Sequence, residues 1–414
     1  MTESIGPLTS ISRRGLDSSY SWARLGVTVL IAIIGGVGMW SVVVVLPAIQ
    51  AEFGVARASA ALPYTLSMLG FGLGGIVMGR LADRYGIVLP MVMASLALCL
   101  GYVASSVAAN LWQFAFAYSL LIGTFGSAAT FGPLIADTSH WFERRRGIAI
   151  AICASGNYLA GALWPPVIEH FIQIVGWRTT FLGIGVFCAV TMLPLALLLR
   201  PKPPLHGYGA GAAVTMDSRD ALGLSPAALQ ILLAIAGVAC CAAMSTPQVH
   251  IVAYCGDLGY GVARGAQMLS VMLGFGVVSR IASGWIADRM GGLSTLLLGS
   301  VLQGVAILLY LNFDRLDSLF VISALFGLFQ GGIVPSYAVI VREYFPAREA
   351  GTRIGVVMSA TLVGMALGGW TSGAIFDLTG SYHAAFGAGL LWNVMNGVVV
   401  LFLLFRGGRR LALA

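Results

Sequence analysis

Arg280 is the residue of this chain whose type and surroundings most demand a chemical explanation. It lies inside an apolar run (265–287), eight residues before Asp288. At about 1.5 Å per helical residue its Cα is ~12 Å from the charged end of that run. An Arg near the centre of a bilayer-spanning helix costs ~2.5–3.5 kcal/mol even on a lenient insertion scale. No Asp or Glu falls inside any apolar run at that depth: Asp83, Asp137, Asp288 and Asp377 stand at run ends, and Glu169 and Asp257 toward the outer face. A guanidinium fork matches a carboxylate bidentately, and a carboxylate ~4 Å away would gain ~4 kcal/mol at an effective dielectric near 20. The simplest missing counter-ion is a carboxylate ligand. Gly276, one turn earlier, leaves room beside the guanidinium. The competing reading is an Arg that snorkels to the nearer interface.

His250 is the only histidine well inside an apolar run. An ordinary pKa near 6.5 suits it to proton coupling or ligand contact, and a hydrogen-bonded packing role is the alternative. Asp257, seven residues on and roughly on the same face, is the second proton-coupling candidate; otherwise it is an interface acid. Thr130, Asn157, Tyr254, Gln303, Gln330, Tyr337 and Asn393 are further polar residues within apolar runs. Polar groups in lipid commonly join helices, so each has a structural reading beside a substrate-binding one. The six Cys show no C-x-x-C spacing and read as small buried hydrophobes rather than metal ligands or disulfides. There is no phosphate-binding G-x-x-x-x-G-K-[ST] loop and no nucleophile–base cluster. No cofactor, no metal and no enzyme activity are therefore expected.

These residues need helices in lipid to position them. Of 414 residues, 58% are hydrophobic and 9% charged, where a soluble domain carries roughly 25% charged residues. That excludes a soluble enzyme, a disordered chain and a nucleic-acid binder. Crossing ~30 Å of hydrocarbon takes about 20 apolar residues. Such runs occupy 25–49, 58–79, 87–108, 111–136, 147–171, 177–199, 227–255, 265–287, 292–312, 317–341, 353–376 and 382–405. The expected fold is all-α, a polytopic membrane protein of twelve transmembrane helices. With the N-terminus inside, eighteen basic residues fall in cytoplasmic segments and four (Arg57, Arg178, Arg264, Arg315) in outer loops. This bias predicts both termini in the cytoplasm and accounts for most of the net charge of +7. Residues 1–24 read as a polar cytoplasmic tail without a cleavable signal. A six-helix bundle (25–199), a Pro- and Gly-containing cytoplasmic linker (200–226), a second bundle (227–405) and a short tail (406–414) follow.

The two bundles echo each other. Gly79-Arg80-Leu81-Ala82-Asp83-Arg84-Tyr85-Gly86 follows the second run, and Gly284-Trp285-Ile286-Ala287-Asp288-Arg289-Met290-Gly291 the eighth, 205 residues later. Trp141-Phe142 and Tyr344-Phe345 open equivalent loops, with Pro133 and Pro335 upstream. Parallel six-helix repeats of this kind build alternating-access transporters.

With twelve runs, a midpoint linker and G-x-L-A-D-R-x-G after helix two, residues ~25–405 resemble the major facilitator superfamily. Segments 35–60, 140–166, 249–267 and 277–292 look like its monocarboxylate porters and oxalate/formate exchangers, whose members carry small organic anions. The resemblance implies gating roles for Gly79, Asp83, Arg84 and Gly86, and for Gly284, Asp288, Arg289 and Gly291. It also implies that Arg280 is the substrate-carboxylate ligand. Helices four, five and ten face the cavity in that superfamily, which brings forward Thr130, Asn157 and Tyr337, with His250, Tyr254 and Asn393 as further substrate contacts. Three departures matter: Gly276 stands where animal porters carry an acid, Ala48 follows Pro47 where they carry a Lys, and helix eleven offers only Arg353, at its start. One buried cation favours a substrate with a single negative charge. The expectation is a monomeric secondary transporter of small monocarboxylates in the plasma (inner) membrane, coupled to proton symport. A carboxylate exchanger is the alternative, and a hydrophobic-compound efflux carrier fits less well.

Overall fold

The structure, a computed structural model, describes residues 15–201 and 223–411, apart from the side chains of 347, 348 and 407–411. Residues 1–14 of the expected N-terminal tail, most of the 200–226 linker and the side chains of the last residues lie outside it. The described residues are helical nearly throughout, with eleven helical segments long and apolar enough to cross a membrane. The fifth, Arg146–Leu198, has 53 residues and breaks at Gly176 (φ 78°, ψ 161°). A straight helix of that length would run ~80 Å, far more than ~30 Å of hydrocarbon. It is two crossings joined at a glycine, so the expected twelve are present among the described residues.

Several crossings differ from the apolar runs for local reasons. The first spans Ser19–Phe53 and starts before the run at 25, because Ser18 caps it through the Ser21 amide (3.2 Å). Arg24, expected in the polar tail, is buried in the bundle, where its fork holds Asp137 at 2.9 Å and donates to the Leu199 carbonyl at 3.1 Å. Its charge is satisfied inside the protein, so it needs no water. The neighbouring Asp17 accepts the Glu143, Arg144 and Arg145 amides. Slight burial pushes its carboxyl up, but those donors outweigh it and hold it below its ordinary value.

The fourth crossing, Leu111–Ser139, is irregular at its centre, with a π-helical stretch Tyr118–Gly126 and a tight 3₁₀ turn Ser127–Thr130. The tenth, Leu316–Tyr344, breaks at Gly331–Gly332. These breaks lie at corresponding places in the two halves. So do Gly86 (φ 84°, ψ 167°) and Gly291 (φ 79°, ψ 164°), which end the two motif-bearing helices. Only glycine adopts that backbone without strain, and the matched angles carry the sequence repeat into three dimensions. All six cysteines are free, five of them buried.

The halves meet along two seams. The second crossing (Arg57–Tyr85) lies against the eleventh (Glu349–Thr379), with Thr65 Oγ1 donating to the Ala366 carbonyl at 3.3 Å. The fifth lies against the eighth (Val262–Met290), where the Ser270 hydroxyl donates to the Ala162 carbonyl.

Candidate functional site

Arg280 stands on the fifth–eighth seam. Its Nη1 donates to the Ala154 carbonyl of the other half at 2.8 Å, and its Nε points at the Gly331 carbonyl at 3.5 Å, long for a hydrogen bond. Its Cζ lies 4.2 Å from the centre of the Tyr158 ring. The side chain is half-buried, and among the described residues no carboxylate lies within 4 Å of it. Backbone carbonyls and a π face stabilise a cation without neutralising it. This arrangement leaves one formal positive charge without a neutralising partner among the described residues.

The room expected beside Arg280 at Gly276 is taken by Tyr158, whose ring atoms a Cβ at 276 would strike. The absence of a side chain at 276 is what lets Tyr158 slide under the guanidinium. Tyr158 was missed in the sequence because an aromatic residue within an apolar run has no feature that separates it from packing.

The other candidates fall into separate places. Asn157 is next to the Arg280 site, with its amide oxygen accepting from Trp40 Nε1 at 3.2 Å and its nitrogen donating to Met39 sulfur. It fixes Trp40 and the fifth crossing rather than pointing free. Thr130 is buried between the first and fourth crossings and donates to the Ser127 carbonyl at 2.9 Å. Tyr337 is fully buried and donates to Asn396 Oδ1 at 3.2 Å. Asn393 is buried against Gly304, with its amide nitrogen unpartnered. Gln303 and Gln330 are fully buried; Gln330 accepts from Gln248 at 2.9 Å, and Gln303 donates to the Cys240 carbonyl.

His250, Tyr254 and Asp257 gather at the end of the bundle where the second crossing begins. His250 is fully buried, with Nε2 2.8 Å from the Gly369 carbonyl and Nδ1 3.1 Å from the Tyr382 hydroxyl. Tyr254 packs edge-on to Tyr382 and Phe386. Asp257 pairs with Arg57 at 3.1 Å. Sequence spacing alone left Arg57 as a loop charge.

At the opposite end the repeated motifs are exposed at Asp83, Arg84, Asp288 and Arg289. Arg84 lies over Tyr85 (5.2 Å) and Arg289 over Trp285 (3.5 Å). Among the described residues neither Asp83 nor Asp288 forms an ion pair. A Cβ at Gly79 or Gly284 would meet nothing within 4 Å. No group of three or more His, Cys, Asp or Glu able to hold a metal occurs among the described residues.

Comparison with known proteins bears on this architecture. The chain is 28% identical to monocarboxylate transporter 13 of Bos taurus over 336 residues, 79% of this chain and 76% of that protein. It is 25% identical to the MFS-type transporter pynF of Aspergillus niger over 311 residues, 74% and 69% of the two chains. The solved structure of a single-residue mutant of the peptide transporter POT superposes with a TM-score of 0.73 at 12% identity, covering 93% of this chain and 94% of that one. A bacterial homologue of the human lysosomal transporter Spinster, in an inward-facing and occupied conformation, superposes with a TM-score of 0.67 at 16% identity, covering 95% and 96%. At those identities the structures speak for the fold alone. The model of the Major Facilitator Superfamily matches residues 28–314 and 283–412. The chain therefore belongs to the major facilitator superfamily and is a multi-pass membrane secondary transporter, not an enzyme.

Proposed function

We propose that the protein carries small organic anions with one carboxylate across the membrane by alternating access, with Arg280 as the ligand of that carboxylate. The observation that carries this reading is a half-buried guanidinium on the seam between the halves with only neutral partners. Arg24, Arg57, Arg178 and Arg353, by contrast, each have a carboxylate within 4 Å. Movement of one half against the other would change the Ala154 contact, since Arg280 and Ala154 belong to different halves. The similarity to monocarboxylate transporters 12 and 13 supports the substrate class. A dicarboxylate exchanger would want a second unneutralised cation at the seam, and Arg57, the other arginine that joins the two halves among the described residues, is paired with Asp257.

Charge balance supports proton symport as the coupling, with His250 and Asp257 as carriers. The motif loops at Asp83–Arg84 and Asp288–Arg289 act as gates. The excess of basic residues at the motif end supports placing that end, and both termini, in the cytoplasm. On this reading two six-helix bundles, 25–199 and 227–405, joined by the 200–226 linker, rock about a central site in the plasma (inner) membrane as a monomer.

Arg280→Gln tests the reading. It should abolish binding of a lactate-like acid by the purified protein while leaving the thermal transition in place, because it removes a half-buried charge that no carboxylate neutralises among the described residues. Arg280→Lys should be severely impaired, since an ammonium cannot reproduce the fork. Near-normal binding by the Gln variant overturns the assignment.

A further inference from the structure

The densest set of charged side chains joining the two halves lies away from Arg280, at the start of the second crossing. Arg57 is 6% exposed. Its Nη2 donates to Asp257 at 3.1 Å and its Nη1 to the Tyr382 hydroxyl at 2.7 Å. Its Cζ lies 4.6 Å from the Phe376 ring centre. Asp377 accepts the backbone amides of both Arg57 and Ala58, each at 2.8 Å. An acid of the eleventh crossing thus caps the start of the second, where free N–H groups and the positive end of the helix favour an anion. Gly373 allows the approach, since a Cβ there would press on Ala58 and Arg57 backbone atoms. Arg57 comes from the first half; Asp257, Phe376, Asp377 and Tyr382 come from the second.

We infer that Arg57 is a latch that shuts this end of the transporter, and that proton uptake by the acids and the histidine facing it opens the latch. The latch stands on geometry alone; its release by protons deepens the proton-coupled reading above and rests on it. Hydrogen-bond directions give the sign. The Gly369 carbonyl can only accept, so the His250 nitrogen beside it, Nε2, carries the hydrogen. Nδ1 then accepts from Tyr382, whose oxygen accepts from Arg57. A doubly protonated His250 would force Tyr382 to accept from both sides and would set a second cation one hydroxyl away from Arg57. A protonated Asp257 or Asp377 would lose the charge that holds the guanidinium or the helix start. Every one of these uptakes weakens closure, so acid favours the open form.

The second crossing presents Arg57. The seventh presents His250, Tyr254 and Asp257, and the eleventh and twelfth present Asp377 and Tyr382. Asp314 and Tyr260 face Tyr254 from the adjoining loops. Glu52 of the first crossing is held by Arg178 and Trp177.

Spin labels at the exposed Val107 and Asn312 report the separation of the halves at this end, with the half-buried Cys99 replaced by Ser. In the full-length protein at about pH 7.5 the short distance should dominate, and at about pH 4, acid enough to protonate a buried histidine and the acids beside it, the long one should gain. Arg57→Ala should raise the open-to-closed ratio about tenfold at the higher pH. Asp377→Asn, a near-isosteric change, should shift it the same way and serves if Arg57→Ala does not fold. The triple variant His250→Gln, Asp257→Asn, Asp377→Asn should lose the pH response. A short distance retained by both Arg57→Ala and Asp377→Asn overturns the latch. A wild-type distance unmoved by pH, or a full response in the triple variant, overturns its release by protons. The same labels on Arg280→Gln report the latch whatever becomes of the substrate assignment, so the two readings fail separately.

Discussion

Arg280 offsets the cost of its position through the Tyr158 face and two backbone carbonyls, and none of the three carries charge. The ring therefore tunes the site rather than neutralising it. Tyr158→Phe keeps the π face and should leave monocarboxylate affinity within about twofold. Tyr158→Leu removes ~0.5–1 kcal/mol of cation–π attraction and should free the guanidinium to wander, weakening affinity about two- to fivefold. Calorimetric titration with a lactate-like acid distinguishes the two, and equal loss in both would assign the role to the Tyr158 hydroxyl. Arg280 was legible in the sequence because a cation in an apolar run is costly wherever it lies. Tyr158 was not, and neither was the partnership of Arg57 with Asp377. Those two residues are 320 positions apart, each at a span end where a charge needs no explanation.

At the scale of elements, continuous apolarity was enough to count crossings, because a helix surrounded by helices and lipid is apolar nearly all round. It could not give their ends. Polar residues at Ser18 and Arg24 extend the first helix by satisfying themselves inside the bundle, and the π-helical centre of the fourth crossing leaves no mark in composition. The repeated motif was legible twice, and the shared backbone of Gly86 and Gly291 confirms the local repeat. Whether its acids gate is a separate matter of energy. In this conformation Asp83 and Asp288 are exposed and unpaired among the described residues. On the proposed gating role, pairs at these acids would form in the alternative state of the transporter. Asp83→Asn or Asp288→Asn should then slow exchange between states with little change in substrate affinity, because neither lies at the Arg280 site. Labels across the motif end, read together with equilibrium binding, check this. A large affinity loss with unaltered state populations would assign these acids a different role.

For the whole molecule, the proposed function makes the distribution of charge the source of selectivity. On the proposed function, one unneutralised guanidinium on the seam answers one carboxylate, and a second carboxylate left unpaired between the halves would cost several kcal/mol. Monocarboxylates of two to about six carbons should therefore outcompete oxalate or malonate at least roughly tenfold, which needs only ~1.4 kcal/mol. A loaded carrier is electrically balanced when a proton travels with each anion, so uptake should rise as the pH outside the vesicle falls. The most direct test is uptake of a labelled lactate-like acid by proteoliposomes with an imposed pH gradient, with unlabelled oxalate as competitor. Uptake should be driven by the gradient, absent in Arg280→Gln and barely reduced by oxalate. Equal competition by oxalate, together with pH-independent uptake that requires an internal anion, would contradict the proposed function.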